Sequence, residues 1–129
     1  METVSAHVSR DLLTVSPDTP LADVIERMAA RNVGAVLVLD GERLAGILTE
    51  RDVLRAVAAG LDLTTPVSAR MTKAPETIES TDSVEHAATL MIHGGFRHLP
   101  VVDAGVAVGI LSIRDLVRVA LVDTAPRGA

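Results

Sequence analysis

A shift of 63 residues superposes Val15–Val57 on Ile78–Ala120 without a gap. Met28 falls on Met91, Val38 on Val101, Asp40 on Asp103, Gly46-Ile47-Leu48 on Gly109-Ile110-Leu111, Arg51-Asp52 on Arg114-Asp115 and Arg55 on Arg118. Identities are few, yet the pattern of apolar, turn and charged positions recurs throughout. Two units of about forty-five residues, each with one apolar sheet face, bury too little surface alone and must be stabilised together. The chain is therefore expected to be a two-unit repeat.

Each copy starts with a short extended segment, Leu13–Val15 or Thr77-Ile78, followed by a helix-start signal. Asp18-Thr19-Pro20 sets a capping hydroxyl before a proline at the first helical position, and Asp82-Ser83-Val84-Glu85 reads as a capping box. Leu21, Val24, Ile25, Met28 and Ala29 then form one apolar stripe at helical spacing. Val84, Ala87, Ala88, Met91 and Ile92 form its counterpart. Gly34 and Gly94-Gly95 punctuate the helix ends. Two β-branched runs follow, Ala35–Leu39 and Leu44–Leu48, joined by Asp40-Gly41-Glu42 as a hairpin. In the second copy, Leu99–Val102 and Val106–Leu111 are joined through Ala104-Gly105. A second helix closes each copy, with Val53, Leu54, Val57 and Ala58 matched by Leu116, Val117, Ala120 and Leu121; Gly60 is its stop. The fold class is α/β (α+β), two β-α-β-β-α repeats packed with pseudo-two-fold symmetry. The expected domains are repeat 1 at 8–60, a linker at 61–70, repeat 2 at 71–122 and a disordered tail at 123–129.

Composition narrows the function. A single Phe96, with no Trp or Tyr, leaves no set of rings on which nucleic-acid bases could stack. The absence of Cys excludes disulfide scaffolds, thiolate metal sites and thiol nucleophiles. A net charge of −5 argues against a nucleic-acid partner, though not against a small anion held by local arginines. No run approaches the roughly 18 apolar residues of a membrane span, and the N-terminus has no signal-peptide pattern. The expectation is a soluble, cytoplasmic protein with no membrane partner.

Chemistry concentrates in Gly46-Ile47-Leu48-Thr49-Glu50-Arg51-Asp52 and Gly109-Ile110-Leu111-Ser112-Ile113-Arg114-Asp115. Each sets a hydroxyl, an Arg and a carboxylate across a strand-to-helix junction. Thr-x-x-Asp or Ser-x-x-Asp before an apolar helix is by itself a capping box. Two features exceed that role: a Gly three residues before the hydroxyl permits close backbone approach, and Arg precedes Asp in both copies.

From about Val8 to Val122 the chain resembles the tandem CBS-domain pair, or Bateman module. The resemblance rests on the ending Gly, apolar, apolar, Thr or Ser, x, x, Asp, on the segment Arg97-His98-Leu99-Pro100-Val101-Val102-Asp103, and on the repeat order and length. Val8-Ser9-Arg10 and Met71-Thr72-Lys73 look like that family's lead-in to each repeat. The resemblance implies a stand-alone regulatory, nucleotide-binding module that senses an adenosine-containing ligand (AMP, ADP, ATP, NAD or S-adenosylmethionine) in clefts between the repeats. The ligand would be an effector, with no cofactor required. One cleft would combine Thr49, Arg51 and Asp52 with Thr77, Ile78, Arg97, His98 and Pro100. The other would combine Ser112, Arg114 and Asp115 with Thr14, Val15, Val36 and Leu37. An Asp carboxylate would accept from both ribose hydroxyls, and the capped helix end would face a phosphate. Arg97 and His98, where the first copy has Gly34 and Ala35, favour the Thr49/Asp52 cleft for a polyphosphate. The other cleft departs from the family at Leu37, where proline is common, and suits an uncharged nucleoside or stays empty.

His86 and His93 stand seven apart on a helix, without a third ligand at metal spacing, so no metal site is expected. No G-x-S-x-G, P-loop, G-x-G-x-x-G or H-E-x-x-H occurs, so no catalytic residue is assigned and the chain is not read as an enzyme. Phe96 is either a cleft wall or a packing residue. Arg55 and Arg118 are solvated by default. The apolar second helices suit a homodimer, and signalling would require a protein partner of unknown identity. The alternative is a constitutive oligomerisation or scaffold module with unoccupied clefts.

Overall fold

The computed structural model describes residues 2–60 and 62–124, with side chains to residue 121. It divides into two compact units. The first is Asp11–Pro75; the second combines the N-terminal residues up to Arg10 with the chain from Glu76 onward.

In the first unit β1 (Thr14–Val15) runs parallel to β2 (Ala35–Asp40), with α1 (Leu21–Arg31) as the crossover. β2 turns back as β3 (Arg43–Thr49), which runs into α2 (Glu50–Ala58). In the second unit β5 (Ile78–Glu79) is parallel to β6 (His98–Asp103) across α3 (Val84–Gly94), and β6 pairs with β7 (Val106–Ser112) before α4 (Ile113–Thr124). The order strand, helix, strand, strand, helix is thus present in both. α4 takes in the first two residues of the expected 123–129 tail, and the rest of that tail lies outside the described residues.

Each sheet packs one face on its own helices. Leu13, Val15, Leu21, Val24, Met28, Val36, Val38, Leu48 and Val67 form the first core. Val4, Ile78, Ala87, Met91, Leu99, Val101 and Leu111 form the second. Val67 and Val4 are fully buried, and both come from outside the β-α-β-β-α run of the core they fill.

These two residues reveal an arrangement the linear reading of lead-ins does not contain. β4 (Thr72–Lys73), from the lead-in to the second repeat, adds to the first unit's sheet, pairing Gly46 with Lys73 and Ile47 with Thr72. Reciprocally, Ser9 and Ile110 exchange backbone hydrogen bonds of 3.0 Å in the second unit. The lead-ins are exchanged. This also explains Gly46 and Gly109: a Cβ would lie 2.7 Å from the Thr72 carbonyl at the first and 2.7 Å from the Ser9 carbonyl at the second. The close backbone approach read from these glycines is to the exchanged strand.

Helix ends differ from expectation in instructive ways. Pro20 is the N-cap of α1, not its first residue, and has no side chain to cap with. The first amides of the helix, those of Leu21 and Ala22, donate instead to the carbonyls of Thr65 and Leu63, in the chain returning from α2. In that return the amide and hydroxyl of Thr64 both donate to Asp62, holding its carboxyl below its ordinary range. α3 has half of the expected capping box: Ser83 accepts from the His86 amide at 3.1 Å, but the third helical residue is His86, not Glu85. α1 ends on Asn32 in the left-handed conformation, two residues before the expected Gly34, whereas Gly95 ends α3 as expected. Phe96 packs on the second core and lies over Gly94, where a Cβ would clash with its ring.

Candidate functional site

Strand alternation sorts the remaining candidates. Val36, Val38 and Leu48 point into the first core, so Leu37 is on the opposite sheet face, paired with Thr14 across β1 and Ile47 across β3. One step on, Ala35 pairs with Thr49. In the second unit Leu99, Val101 and Leu111 point inward, and the opposite face carries Pro100 paired with Ile110 and His98 paired with Ser112. In each unit this second strand face is apolar and leads to a hydroxyl at the start of a helix, with Leu37 fully buried and Ile47 and Pro100 buried as well. Val15, Val36 and Ile78 have their side chains committed to the cores, so only their backbone groups are available to a ligand. Thr77 immediately precedes Ile78 at the entry to β5.

The hydroxyl and carboxylate of each motif form the same cap. Asp52 Oδ2 accepts from the Thr49 amide at 2.9 Å and its hydroxyl at 3.1 Å, and Thr49 Oγ1 accepts from the Asp52 amide at 3.4 Å. Asp115 Oδ2 accepts from the Ser112 amide at 2.8 Å and its hydroxyl at 2.9 Å, with the return bond at 3.2 Å. A carboxylate has about four lone-pair positions, so two remain after the capping bonds to Oδ2. In Asp115, Oδ1 lies 3.8 Å from an Arg118 guanidinium nitrogen, and the side chain keeps 16% exposure. Capping orients these carboxylates and leaves them capacity to bind.

The junctions are built from the preceding strand as well. The Glu50 amide donates to the Gly34 carbonyl at 3.0 Å, and the Ile113 amide to the Arg97 carbonyl at 2.8 Å. The backbone of Arg97 and His98 thus adjoins Ser112 and Ile113. Thr49 and Asp52, with which the family resemblance groups Arg97 and His98, belong to the other unit. Arg51 and Arg114 are exposed on the first turns of α2 and α4.

Among the described residues, no group of three or more His, Asp and Glu is placed to hold a metal ion, and no helix is long and apolar enough to cross a membrane. Large apolar side chains are exposed on the second helix of each unit: Leu54 and Val57 on α2, Val117 and Leu121 on α4. A groove of about 260 Å³ runs between α1 and α2, lined by Ile25, Met28, Ala29, Asn32, Val33, Glu50 and Val53.

The family model for the CBS domain matches this chain twice, over residues 4–59 and 67–122. Its bounds begin at Val4 and Val67, the two lead-in residues that fill the cores. An uncharacterized 17.7 kDa protein of Acidianus ambivalens is 37% identical over 120 residues, covering 92% of this chain and 73% of its own. The CBS domain-containing protein CBSCBSPB5 of Arabidopsis thaliana is 44% identical over 104 residues, and the match spans 78% of this chain but 19% of that much longer protein. Among solved structures, the CBS domain protein PAE2072 of Pyrobaculum aerophilum complexed with AMP superposes with a TM-score of 0.86 at 34% identity, covering 96% of this chain and 98% of that one.

Proposed function

This chain belongs to the CBS-domain family as a tandem pair of repeats, and from that premise we propose that it is a regulatory, non-catalytic module that binds an adenosine-containing ligand at its two Thr/Ser-x-x-Asp junctions. The observation that carries the reading is the identical treatment of both carboxylates. Asp52 and Asp115 are each pinned through Oδ2 by their own cap, at the end of an apolar strand. The AMP complex of the Pyrobaculum relative supports the ligand class. In each junction the carboxylate would accept from ribose hydroxyls, with the base directed along the neighbouring strand.

A ligand can signal only through unequal affinity for two states of the protein. The surface through which it acts is proposed to be the exposed second helices, covered by another copy in a homodimer or by a protein partner. Light scattering on the eluting protein should give twice the chain mass, and Leu54→Glu with Val117→Glu should halve it.

The ligand reading is tested by thermal melting with AMP, ADP, ATP, NAD and S-adenosylmethionine at millimolar concentration. Ligand at 100 times its dissociation constant stabilises the folded state by about 2.7 kcal/mol. At that level a binder should raise the melting temperature by several degrees. The lack of Trp and Tyr adds a second readout, since a co-purified adenine compound should dominate the absorbance near 260 nm. No shift with any compound and no adenine released on denaturation would replace this reading with a scaffold role.

A further inference from the structure

The two exchanged lead-ins press different side chains on their glycines. At Gly109 the covering side chain is Val8; at the equivalent Gly46 it is Met71, whose sulfur would lie 2.6 Å from a Cβ at that position. Met71 is half-buried on the rim of the first core, whereas Met28 and Met91 are inside the cores at 6% and 2% exposure. With no Cys in the chain, thioethers are its only sulfur groups, and among the described residues that of Met71 belongs to the most accessible methionine.

The segment around Met71 is held unequally at its two ends. Upstream, Val67 is fully buried and its carbonyl accepts from the Met71 amide at 2.9 Å. Downstream the hold is weak. β4 has only Thr72 and Lys73, both exposed. The amide of Ala74 then donates to the Ala45 carbonyl at 3.4 Å, and Ala74 takes a φ of 46°. That left-handed conformation is costly for alanine, and the helical regions are further disfavoured directly before a proline, here Pro75. The strand therefore lies on β3 against backbone strain, and the Met71 thioether is the side chain that seats it over Gly46.

We propose that Met71 is a reversible oxidation site, and that its conversion to the sulfoxide by a hydroperoxide detaches β4 from β3. A sulfur lone pair attacks one peroxide oxygen and the O–O bond breaks. The sulfur gives up two electrons and keeps that oxygen. The other oxygen leaves with the proton, as water from hydrogen peroxide or as an alcohol from an alkyl hydroperoxide. A pliant apolar group thereby becomes a polar one. The new oxygen only accepts hydrogen bonds, and the nearest polar atom over Gly46 is another acceptor, the Thr72 carbonyl oxygen, 2.7 Å from the same Cβ position. The sulfoxide must turn to water, which lifts the side chain off Gly46 and leaves a two-residue ladder to hold the strained Ala74. The second unit has no such site, because Val8 offers no sulfur.

The experiment treats the full chain with hydrogen peroxide, quenches with free methionine, and reads each methionine by peptide mass mapping and both sheets by hydrogen exchange. Met71 should gain an oxygen before Met28 and Met91 do. Protection of the Ile47, Thr72 and Ala74 amides should then fall roughly 10- to 100-fold, the effect of a polar group left without a partner, while the Ser9 and Ile110 amides keep theirs. Methionine sulfoxide reductase with a thiol reductant should restore the lost protection. Met71→Leu, which is close in volume, should keep its protection before and after peroxide, separating this site from oxidation at the other methionines. Oxidation of Met28 or Met91 as fast as that of Met71, a Met71 sulfoxide with unchanged protection, or an equal loss in Met71→Leu overturns the proposal.

Discussion

The two units have the same core plan but close their sheets differently. In the first, the segment returning from α2 supplies Val67 to the core and a two-residue ladder to β3, all within one uninterrupted stretch of chain. The second receives the equivalent piece from the N-terminus: Val4 fills the core, and the paired hydrogen bonds of Ser9 and Ile110 attach the strand. Three further backbone bonds hold it, from the Val4 amide to Asp82, the Ser5 amide to Ser80 and the Val84 amide to Glu2. A segment joined to the rest of its unit only through the other repeat is the part whose removal distinguishes the two.

Deletion of residues 1–10 should therefore have the largest effect. Loss of a fully buried Val removes about 1.5–3 kcal/mol, and each lost backbone bond about 1 kcal/mol more. Together these approach the 5–15 kcal/mol by which whole domains are stable. Hydrogen exchange should show the amides of β6 and β7 losing protection while those of β2 and β3 keep theirs. Equal loss in both units would mean that they fold as one cooperative body; equal retention would mean that the N-terminal segment is ornamental.

Next come the glycines under the exchanged strands. Gly46→Ala and Gly109→Ala should each destabilise by about 1–3 kcal/mol, because the new methyl meets a backbone carbonyl that cannot rotate away. At Gly46 the nearest side chain is the flexible Met71, and at Gly109 it is the β-branched Val8. The second substitution should cost more by denaturant melting. A neutral result at either site would show that the lead-in strand detaches readily.

How much of this was legible in the sequence depends on whether the relevant constraint was local. The hairpins, the helices and both capped carboxylates were, since each is set by residues within a few positions of one another. The exchange of lead-ins was not, because pairing between β3 and β4 is a property of the sheet edge and leaves no periodic pattern in two residues. One signal was present: Val4-Ser5-Ala6 is identical to Val67-Ser68-Ala69 at the repeat's own spacing, and both fold as single 3-10 turns.

Phe96 offers a finer contrast. It stands where the first unit has Val33, and its ring covers Gly94, where the first unit has Arg31. Gly94→Ala alone should destabilise by about 1–3 kcal/mol through overpacking against the ring. In a Phe96→Val background the same change should stabilise by up to about 1 kcal/mol, the ordinary preference of a helix for Ala over Gly. A double-mutant cycle reads the reversal of sign. Additive effects would separate the glycine from the ring.

The smallest effect comes from the hairpin turns, where the repeats are again out of step. Gly41 and Ala104 are equivalent positions, and both adopt a left-handed backbone, with φ of 64° and 49°. Glycine enters that region freely, whereas alanine brings its Cβ against the following carbonyl oxygen at a cost of about 1 kcal/mol. Ala104→Gly should therefore stabilise the second unit, and Gly41→Ala should destabilise the first by a similar amount, since nothing lies within 4 Å of a Cβ at Gly41 to add a packing term. Part of the gain at Ala104 is offset because glycine also frees the unfolded chain. A net change of zero at Ala104 with a clear loss at Gly41 would show that this entropy cancels the strain, and would place the difference between the two hairpins in the unfolded state.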